Sequence, residues 1–570
     1  MSAACRSYQR WLLSAVGWLI AMAGVVAAYG FTVDDAWITS RYAFNLATGL
    51  GHRFFAGARV SDGVTPLWWP YLLALLTPAR ALPGQGWDGS CFSCVPELFP
   101  WHVARWLGLL AWGAGAAKLS WYLSALVQSR PWPTVLAYLA AFATPSVAAW
   151  SSSGMETAAA LGLVTVSAVR TMERPHCLLS LMPAAIAATL RPELLVFVAL
   201  LAATVGLLRH RRVYSVSANP HPLTPSITVV SSRASAFAQS SPLPPGLSFR
   251  QVGVLIAPVV LAVLPWFAVL TVRVYCFGSP APLGWFAKTS DLRHGIVYVL
   301  AALLVTGPPV TVMAPWAWWT ARHRVPLQVR GLTAALVGHA FVCVLVGGDW
   351  MPMSRLFVPV LPSFALVFAH LTCSQWPALN TPRSRTLAAV SCLCRVALCV
   401  AGQVFVWVSV GLPGARVASD RLALVHQLKT LLQPTDLVAA LDVGWVSVAH
   451  NGPILDLAGV TDPSMAMLPG GHTSKAIPEQ YLDSRGVTHL LVLLDPSAYA
   501  FEPALFKPGP VQRYHVNPAS SQAADAWKSC NVARAVEYHL CRREHGRFTL
   551  RAELRSTSKL SYLLLSRTSP

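Results

Sequence analysis

A series of long apolar segments, which covers most of the first 411 residues, constrains this chain more than any other feature. A helix needs about 20 apolar residues to cross the hydrocarbon core of a bilayer, and a helix satisfies its own backbone polar groups there. Charged residues make up 12% of the chain, against about 25% in a soluble domain. The sequence therefore predicts a polytopic α-helical membrane protein with roughly eleven transmembrane helices. The predicted spans lie near residues 11–31, 64–82, 101–127, 131–149, 154–171, 177–208, 251–273, 294–321, 331–347, 356–373 and 387–411.

Two stretches affect this count. Residues 177–208 are long for one span, and an Arg-Pro-Glu sequence at 191–193 interrupts them, so that they form either one tilted helix or two short ones.

The N-terminal apolar stretch is longer than the apolar region of a signal peptide, which has about 7–15 residues, and no small-residue cleavage site is clear before Phe31. We therefore predict that this stretch is retained as the first span.

Basic residues concentrate in the loops between spans and indicate the orientation of the chain. The formal net charge of +20 could suggest nucleic-acid binding. Its placement in short loops instead follows the positive-inside pattern of membrane proteins, and we predict no nucleic-acid partner. The 209–250 loop holds five arginines and no acid, so it is predicted to be cytoplasmic. The first loop, 32–63, and the region after the last span then lie outside the cytoplasm.

Residues 412–570 differ in character from the membrane part and hold 13 of the chain's 23 acids. Residues 436–444 and 487–494 are typical of strands, and the spacing of apolar residues over 420–432 is typical of a helix. Strands that alternate with helices indicate a small α/β domain. We predict a transmembrane domain over 1–411 and an extracytoplasmic α/β domain over 412–570.

Two pairs of cysteines could carry chemistry. Cys530 and Cys541 lie in the C-terminal domain, where an oxidising compartment would allow a disulfide. Cys91 and Cys94 have the spacing of a zinc pair, but the loop lacks the second pair that a structural zinc site needs. No residue is therefore predicted as a metal ligand.

An acidic doublet, Asp34-Asp35, follows the first predicted span. Carboxylates next to a bilayer are costly and often mark function, and transfer of a sugar to a hydroxyl needs a base that takes the hydroxyl's proton. One acid could act as the base while the other orients it or holds a divalent cation. In the alternative interpretation, both acids are solvated at a helix N-terminus, where Asp is a favourable cap.

The doublet begins a longer pattern. It continues with an aromatic residue, Ile-Thr, Arg-Tyr, a Gly-His turn at 51–52 and an Arg-Val-x-acid-Gly-x-Thr-x-Leu-Trp segment at 59–68. This order resembles the actinobacterial terminal arabinofuranosyltransferases and their bacterial relatives, which are membrane glycosyltransferases of the GT-C fold. The loops at 91–94 and 209–250 depart from the family pattern and look like additions to it. Because the family uses several sugars, the resemblance does not identify arabinose as the sugar that this chain transfers. Further matching segments follow in order at 153–157, 191–193, 286–289, 347–352, 355, 456–463 and 469–472.

The resemblance implies a donor of the polyprenyl-phosphate–sugar type and an inverting displacement with Asp34 or Asp35 as base. The acceptor would be a hydroxyl of a cell-envelope glycan or of another glycan or lipid, at the outer face of the inner (cytoplasmic) membrane. Lys288 and Arg355 are the candidates that bind the leaving phosphate, whose growing charge needs cations; alternatively, both reach out to lipid headgroups. Asp349 is expected to orient Arg355 or to cap a turn.

Other polar residues of the matched segments receive smaller roles. Glu156 and Glu193 lie at span ends whose side the sequence leaves open, so they are not included in the predicted site. Asp462 and His472 either close the site from above or are ordinary loop residues, and we favour the second interpretation. The residues predicted to support the site are Arg41, Tyr42, His52 and Asp62.

The main alternative function is a transporter or flippase of lipid-linked sugars. A transporter places polar residues near the bilayer midplane, between related halves, whereas the acids here lie mainly in outer loops and no similarity between halves is visible. Transfer of a whole oligosaccharide from a lipid pyrophosphate is a further alternative within the same fold. We favour the sugar transferase because a large outer α/β domain fits an enzyme better.

Overall fold

The computed structural model describes residues 3–78, 95–127, 144–217, 249–288, 290–306, 325–375, 381–494, 530, 532–556 and 561–568. Up to residue 411, the regular structure in these residues is helical. The helices are α1 Ala3–Ala27, α2 Asp34–Ala47, α3 Trp69–Leu75, α4 Phe99–Val127, α5 Pro145–Ser152, α6 Thr157–Glu173, α7 Met182–Leu190, α8 Leu195–Ser217, α9 Phe249–Phe277, α10 Leu283–Ala287, α11 Leu292–Ala301, α12 Leu327–Leu345, α13 Leu361–Gln375 and α14 Pro382–Val406. Single turns of 3-10 helix lie at Pro96–Leu98, Leu178–Ser180, Pro192–Leu194 and Val358–Val360, and π-helical turns at Ala302–Thr306 and Trp407–Gly411.

Several of these helices are long and apolar, as the prediction of a polytopic helical membrane protein requires. The predicted count of roughly eleven spans stays a prediction, because 79–94, 128–143 and 307–324 lie outside the described residues. Within the described residues, five helical segments have the length and composition to cross a membrane: Ser7–Ala27, Pro192–Val213, Phe249–Phe277, Leu327–Leu345 and Val400–Lys429.

Two predicted spans take a different form. Residues 177–208 form two helices, because α7 ends at Leu190 and a 3-10 turn that begins at Pro192 separates it from α8. The prediction of a span over 64–82 is wrong for residues 64–78, which the structure describes. The helix there, α3, has only 7 residues. A helix of that length is too short to cross a bilayer.

Small residues let the membrane helices pack closely around a core of buried aromatic rings. A Cβ added to Gly162 on α6 would lie 2.1 Å from the carbonyl oxygen of Ala111 on α4. Glycine is therefore required where these two helices cross, as is common between helices in membranes. The largest fully buried rings of the helical part include Trp37, Trp101, Trp112 and Trp150.

The C-terminal residues form a mixed five-stranded sheet in the order β2-β1-β3-β5-β4. The strands are β1 Val438–Ala440, β2 Ile454–Asp456, β3 His489–Leu493, β4 Phe548–Arg555 and β5 Ser561–Arg567, and the helices are α15 Val417–Lys429, α16 Val443–Ala449, α17 Pro463–Ala466, α18 Tyr481–Ser484 and α19 Ala535–Glu544. Strand β1 pairs in parallel with β2 and β3, and β5 is antiparallel to β3 and β4. All residues of β1 and β3 are buried, which explains why both lie in continuous apolar runs of the sequence.

Cys530 and Cys541 form a disulfide that joins residue 530 to α19. Cys91 and Cys94, and residues 218–248 of the loop predicted to be cytoplasmic, lie outside the described residues.

Helix α2 lies between the membrane helices and the C-terminal domain. It packs on α3, on α4 and on α16, the helix that connects the parallel strands β1 and β2. Most of its side chains are buried, including that of Asp34. The first loop and the C-terminal domain are therefore in direct contact, and this contact determines where the two acids of the doublet point.

Candidate active site

A cavity of about 810 Å³ lies where α2, the segment that follows the first loop, α9, α10 and the end of α12 meet. Its lining includes the charged residues Asp35, Lys288, Asp349 and Arg355, and Arg355 lies beside both of these acids. Apolar side chains of α9 and α12 form another part of the lining. These apolar residues are Trp266, Val269, Leu270, Val342 and Leu345. Four of the residues predicted for the site thus meet around one space.

Arg355 lies between two carboxylates. Its Nε donates to Asp349 Oδ2 at 2.6 Å, and its Nη1 lies 3.6 Å from Asp35 Oδ2. The two residues before it, Met353 and Ser354, have φ angles of 60° and 53°. Residues other than glycine rarely adopt such angles, which cost energy that the surrounding structure has to supply. The backbone and Asp349 therefore both fix the direction of the guanidinium.

Asp349 is a buried acid that stays ionised beside its cations. Burial would raise the pKa of this carboxyl, but the charges of Arg355, Lys288 and Arg191 outweigh that effect and lower it. Asp349 follows Gly347 and Gly348, whose φ angles of 81° and 72° favour glycine. Asp349 Oδ2 accepts the Nε–H of Arg355, and its role as the residue that orients Arg355 stays a prediction.

Lys288 lines the same cavity from the turn after α10. Its Nζ lies 5.9 Å from the ring centroid of Trp350, and within the described part of the chain no carboxylate oxygen lies within 4.0 Å of it. Burial lowers the pKa of this ammonium, and the nearby charges of Asp349 and Asp35 oppose the shift. Lys288 is thus a cation next to the cavity without a close ion-pair partner among the described residues.

The second acid of the doublet faces the cavity, and the first does not. Asp34 points into the C-terminal domain, where its two oxygens accept the backbone N–H groups of Gly444 at 2.7 Å and Trp445 at 3.0 Å. Arg421 Nη2 lies 3.8 Å from its Oδ1. The structure therefore separates the two acids, which the sequence left equivalent.

The three supporting residues Arg41, Tyr42 and His52 do not line the cavity but hold the first loop in place. Arg41 donates to Asn451 Oδ1 at 2.7 Å, and the Tyr42 hydroxyl lies 2.7 Å from Ser61 Oγ. His52 packs between aromatic rings, with the ring of Tyr71 stacked at 5.4 Å. Burial lowers the pKa of His52 to about 4, so the ring is neutral at pH 7.

Asp62 supports the cavity through a residue that we did not predict. It forms a buried ion pair with Arg273 of α9, with 2.5 Å between Oδ2 and Nε. Arg273 lines the cavity and also donates to the carbonyl of Thr65 at 2.7 Å. An arginine at the end of a long apolar stretch was the available signal, because such a charge is costly in lipid and usually has a partner.

A second group of unpredicted residues surrounds Arg191. Its guanidinium lies 3.0 Å from Glu156 and 2.6 Å from Glu193, and all three residues line the cavity. The two glutamates were left out because the sequence did not settle on which side of the membrane they lie. The position of Arg191 at the break between two apolar stretches, within a matched segment, was a signal that could have found them.

Asp462 and His472 lie in the C-terminal domain. Asp462 caps α17, where it accepts the N–H groups of Ser464 and Met465, which agrees with a structural role. His472 lies closer to the cavity, with its ring 5.4 Å from the ring of Trp350. Among the described residues, no group of three or more His, Cys, Asp or Glu side chains is placed to hold a metal ion.

Comparison with known proteins adds a match to the C-terminal domain. Residues 414–542 match a family model described as a domain of unknown function, DUF8728. No curated protein matches the chain.

Among solved structures, the chain is similar to ArnT from Cupriavidus metallidurans bound to undecaprenyl phosphate, with 13% identity and a TM-score of 0.43 over 87% of this chain and 94% of that one. The apo state of the same protein gives 12% and 0.42 over the same shares. The oligosaccharyltransferase of Archaeoglobus fulgidus gives 12% and 0.34 over 88% of this chain and 72% of that one. All three TM-scores are below 0.5.

Proposed function

We propose that the protein is a GT-C-type glycosyltransferase that moves a sugar from a polyprenyl-phosphate donor to a hydroxyl of a cell-envelope glycan or another acceptor. The reaction takes place at the outer face of the inner membrane. One observation carries the proposal: a single cavity is lined both by a carboxylate, a lysine and an arginine and by apolar side chains of two candidate spans. A polyprenyl-phosphate sugar likewise combines a charged head with a hydrocarbon tail.

The cations that line the cavity suit the leaving group. When the bond between the sugar and the lipid phosphate breaks, negative charge grows on the phosphate oxygens, and cations aimed at them stabilise the transition state. Arg355 is held in place by Asp349 at 2.6 Å, and Lys288 has no carboxylate within 4.0 Å among the described residues. Both can therefore bind the phosphate without breaking their own supports.

Asp35 is the base in this mechanism. The acceptor oxygen attacks the anomeric carbon, its proton passes to Asp35, and the bond from that carbon to the phosphate oxygen breaks, so that the lipid phosphate leaves. This single displacement inverts the anomeric configuration. The side chain of Asp35 is 27% exposed and faces the cavity, whereas Asp34 is engaged in the C-terminal domain. The geometry thus favours Asp35 among the two candidates.

The experiment that tests the proposal compares the purified wild type with the Asp35→Asn variant. Each is mixed with membranes that supply the endogenous acceptor and with undecaprenyl phosphate carrying arabinofuranose, mannose or glucose. Mass spectrometry follows donor loss. A general base contributes about 10²–10⁴-fold, so Asp35→Asn should lose turnover by about that factor while it still binds undecaprenyl phosphate.

Asp291→Asn is the matched control. Asp291 caps α11 by accepting the N–H groups of Arg293 and His294, and Asn caps a helix about as well as Asp, so turnover should stay at the wild-type rate. Parental turnover in Asp35→Asn would overturn the assignment of the base. Movement of intact donor across a vesicle bilayer, without sugar transfer, would favour the transporter instead.

A further inference from the structure

The two acids at the start of α2 are neighbours in sequence but have different partners. An α-helix has about 3.6 residues per turn, so successive side chains point in different directions. Asp35 faces the cavity, and Asp34 faces the C-terminal domain, where it is 6% exposed. The cap position of α2, Val33, provides no side-chain hydrogen bond to the first turn. Contacts from outside the helix therefore add to the local hydrogen bonds of the first turn, which carries Asp35.

The main contact comes from the N-terminus of α16. Each oxygen of Asp34 accepts one backbone N–H group, from Gly444 and from Trp445, which fixes the plane of the carboxylate. A Cβ at residue 444 would lie 2.2 Å from the carbonyl oxygen of Asp34, so only glycine allows this approach. The contact is thus specific in geometry and lies one residue from the proposed base.

Other contacts hold the same region against the domain. Arg41, two turns along α2, donates to Asn451 at 2.7 Å, and Asn451 donates to Glu97 Oε1 at 3.3 Å. The backbone N–H of Ala418 donates to the carbonyl of Gly30 at 3.4 Å. These contacts lie on both sides of the doublet along the chain, so that the C-terminal domain holds the entire start of α2.

We infer that the C-terminal domain positions the base for catalysis and that Asp34 is the positioning residue through which it acts. The inference rests on the proposed function, in which Asp35 takes the proton. A displacement of about 1 Å in a reacting group can cost about 10²-fold in rate. The contact with Asp34 prevents such a displacement, because it joins the first turn of α2 to a helix that the sheet supports. The domain matched by the family model of unknown function thereby has a role in the reaction.

The test compares Asp34→Ala with Asp462→Ala. Asp462 also accepts two backbone N–H groups of a short helix, but that helix, α17, lies within the C-terminal domain. Each variant leaves two backbone N–H groups without their acceptor, so the Tm of both should fall. Asp34→Ala should lose at least about tenfold in kcat, with the KM for the sugar-loaded undecaprenyl phosphate and the Kd for undecaprenyl phosphate unchanged within about twofold. Asp462→Ala should keep the wild-type kcat.

Two further variants keep the inference testable if Asp34→Ala does not fold. Asp34→Asn retains one acceptor oxygen and should recover part of the kcat. Gly444→Ala approaches the contact from the domain side and should lower kcat as Asp34→Ala does. Equal kcat losses in Asp34→Ala and Asp462→Ala, or weakened binding of undecaprenyl phosphate by Asp34→Ala, would overturn the inference.

Asp35→Asn separates this inference from the proposed function. If Asp35→Asn is inactive and Asp34→Ala keeps full kcat, the positioning role is wrong and the base assignment stands. If Asp35→Asn keeps full kcat, the base assignment is wrong, whatever Asp34→Ala does.

Discussion

Arg355 shows how a single side chain can be prepared for a charge that appears only during the reaction. Asp349 fixes its Nε, which leaves the Nη groups directed at the space beside Asp35. The left-handed backbone at Met353 and Ser354 adds a constraint that a flexible loop would lack. The chemistry of leaving-group stabilisation favours such fixed donors, because they need no reorganisation as the charge develops.

Substitution of Arg355 should therefore affect the rate strongly. Arg355→Ala should lower kcat by about 10²–10³-fold, the loss seen when one fixed donor to a developing anion is removed. Arg355→Lys should recover only part of it, because lysine lacks the planar fork that contacts two groups at once. Arg485→Ala, on the partly exposed surface of the C-terminal domain, is the control. Full activity of Arg355→Ala in the undecaprenyl-phosphate–sugar assay would remove Arg355 from the mechanism.

At the scale of elements, the contact between α2 and α16 depends on one buried carboxyl. Burial raises the pKa of Asp34 from 3.8 to about 7, with Arg421 opposing the shift and Asp442 adding to it. Between these two values the folded protein keeps a proton that the unfolded chain has lost. The contribution of Asp34 to stability therefore decreases as the pH rises from about 4 to about 7.

This titration predicts a pH-dependent difference between two proteins. The Tm of the wild type minus the Tm of Asp34→Asn, measured in detergent, should become smaller as the pH rises from about 5 to about 8, because the amide does not titrate in this range. Comparison with the variant cancels the titration of the other buried groups. A difference that stays constant over this range would show that the carboxyl is ionised throughout and would contradict the prediction.

At the scale of the whole molecule, the first loop and the C-terminal domain touch, so they share one side of the membrane. The positive-inside pattern predicts that this side is the outer one and that the 209–250 loop is cytoplasmic. That the loop and the domain share one side follows from contacts such as that of Arg41 with Asn451. That this side is the outer one is predicted from the distribution of charge alone.

Cysteine labelling tests both statements. After replacement of the ten cysteines other than the disulfide-bonded Cys530 and Cys541, single cysteines are placed at Val60, Gln480 and Val230. An impermeant maleimide applied to intact spheroplasts should label positions 60 and 480 but not 230. Labelling of 230 with protection of 480 would reverse the orientation, and opposite results at 60 and 480 would contradict the contact between loop and domain.

The sequence alone determined the apolar helices, the strands β1 and β3, and the acids and cations that meet around the cavity. Such features depend on local properties: hydropathy over about 20 residues, apolar runs in buried parallel strands, and charges beside apolar segments. Tertiary structure decided the rest. Asp34 and Asp35 are alike in sequence, and only contacts far along the chain, with Gly444 and Trp445, separate their environments. Arg273 and Arg191 join the cavity through partners brought near by folding, because the partner of a buried charge depends on packing between distant segments.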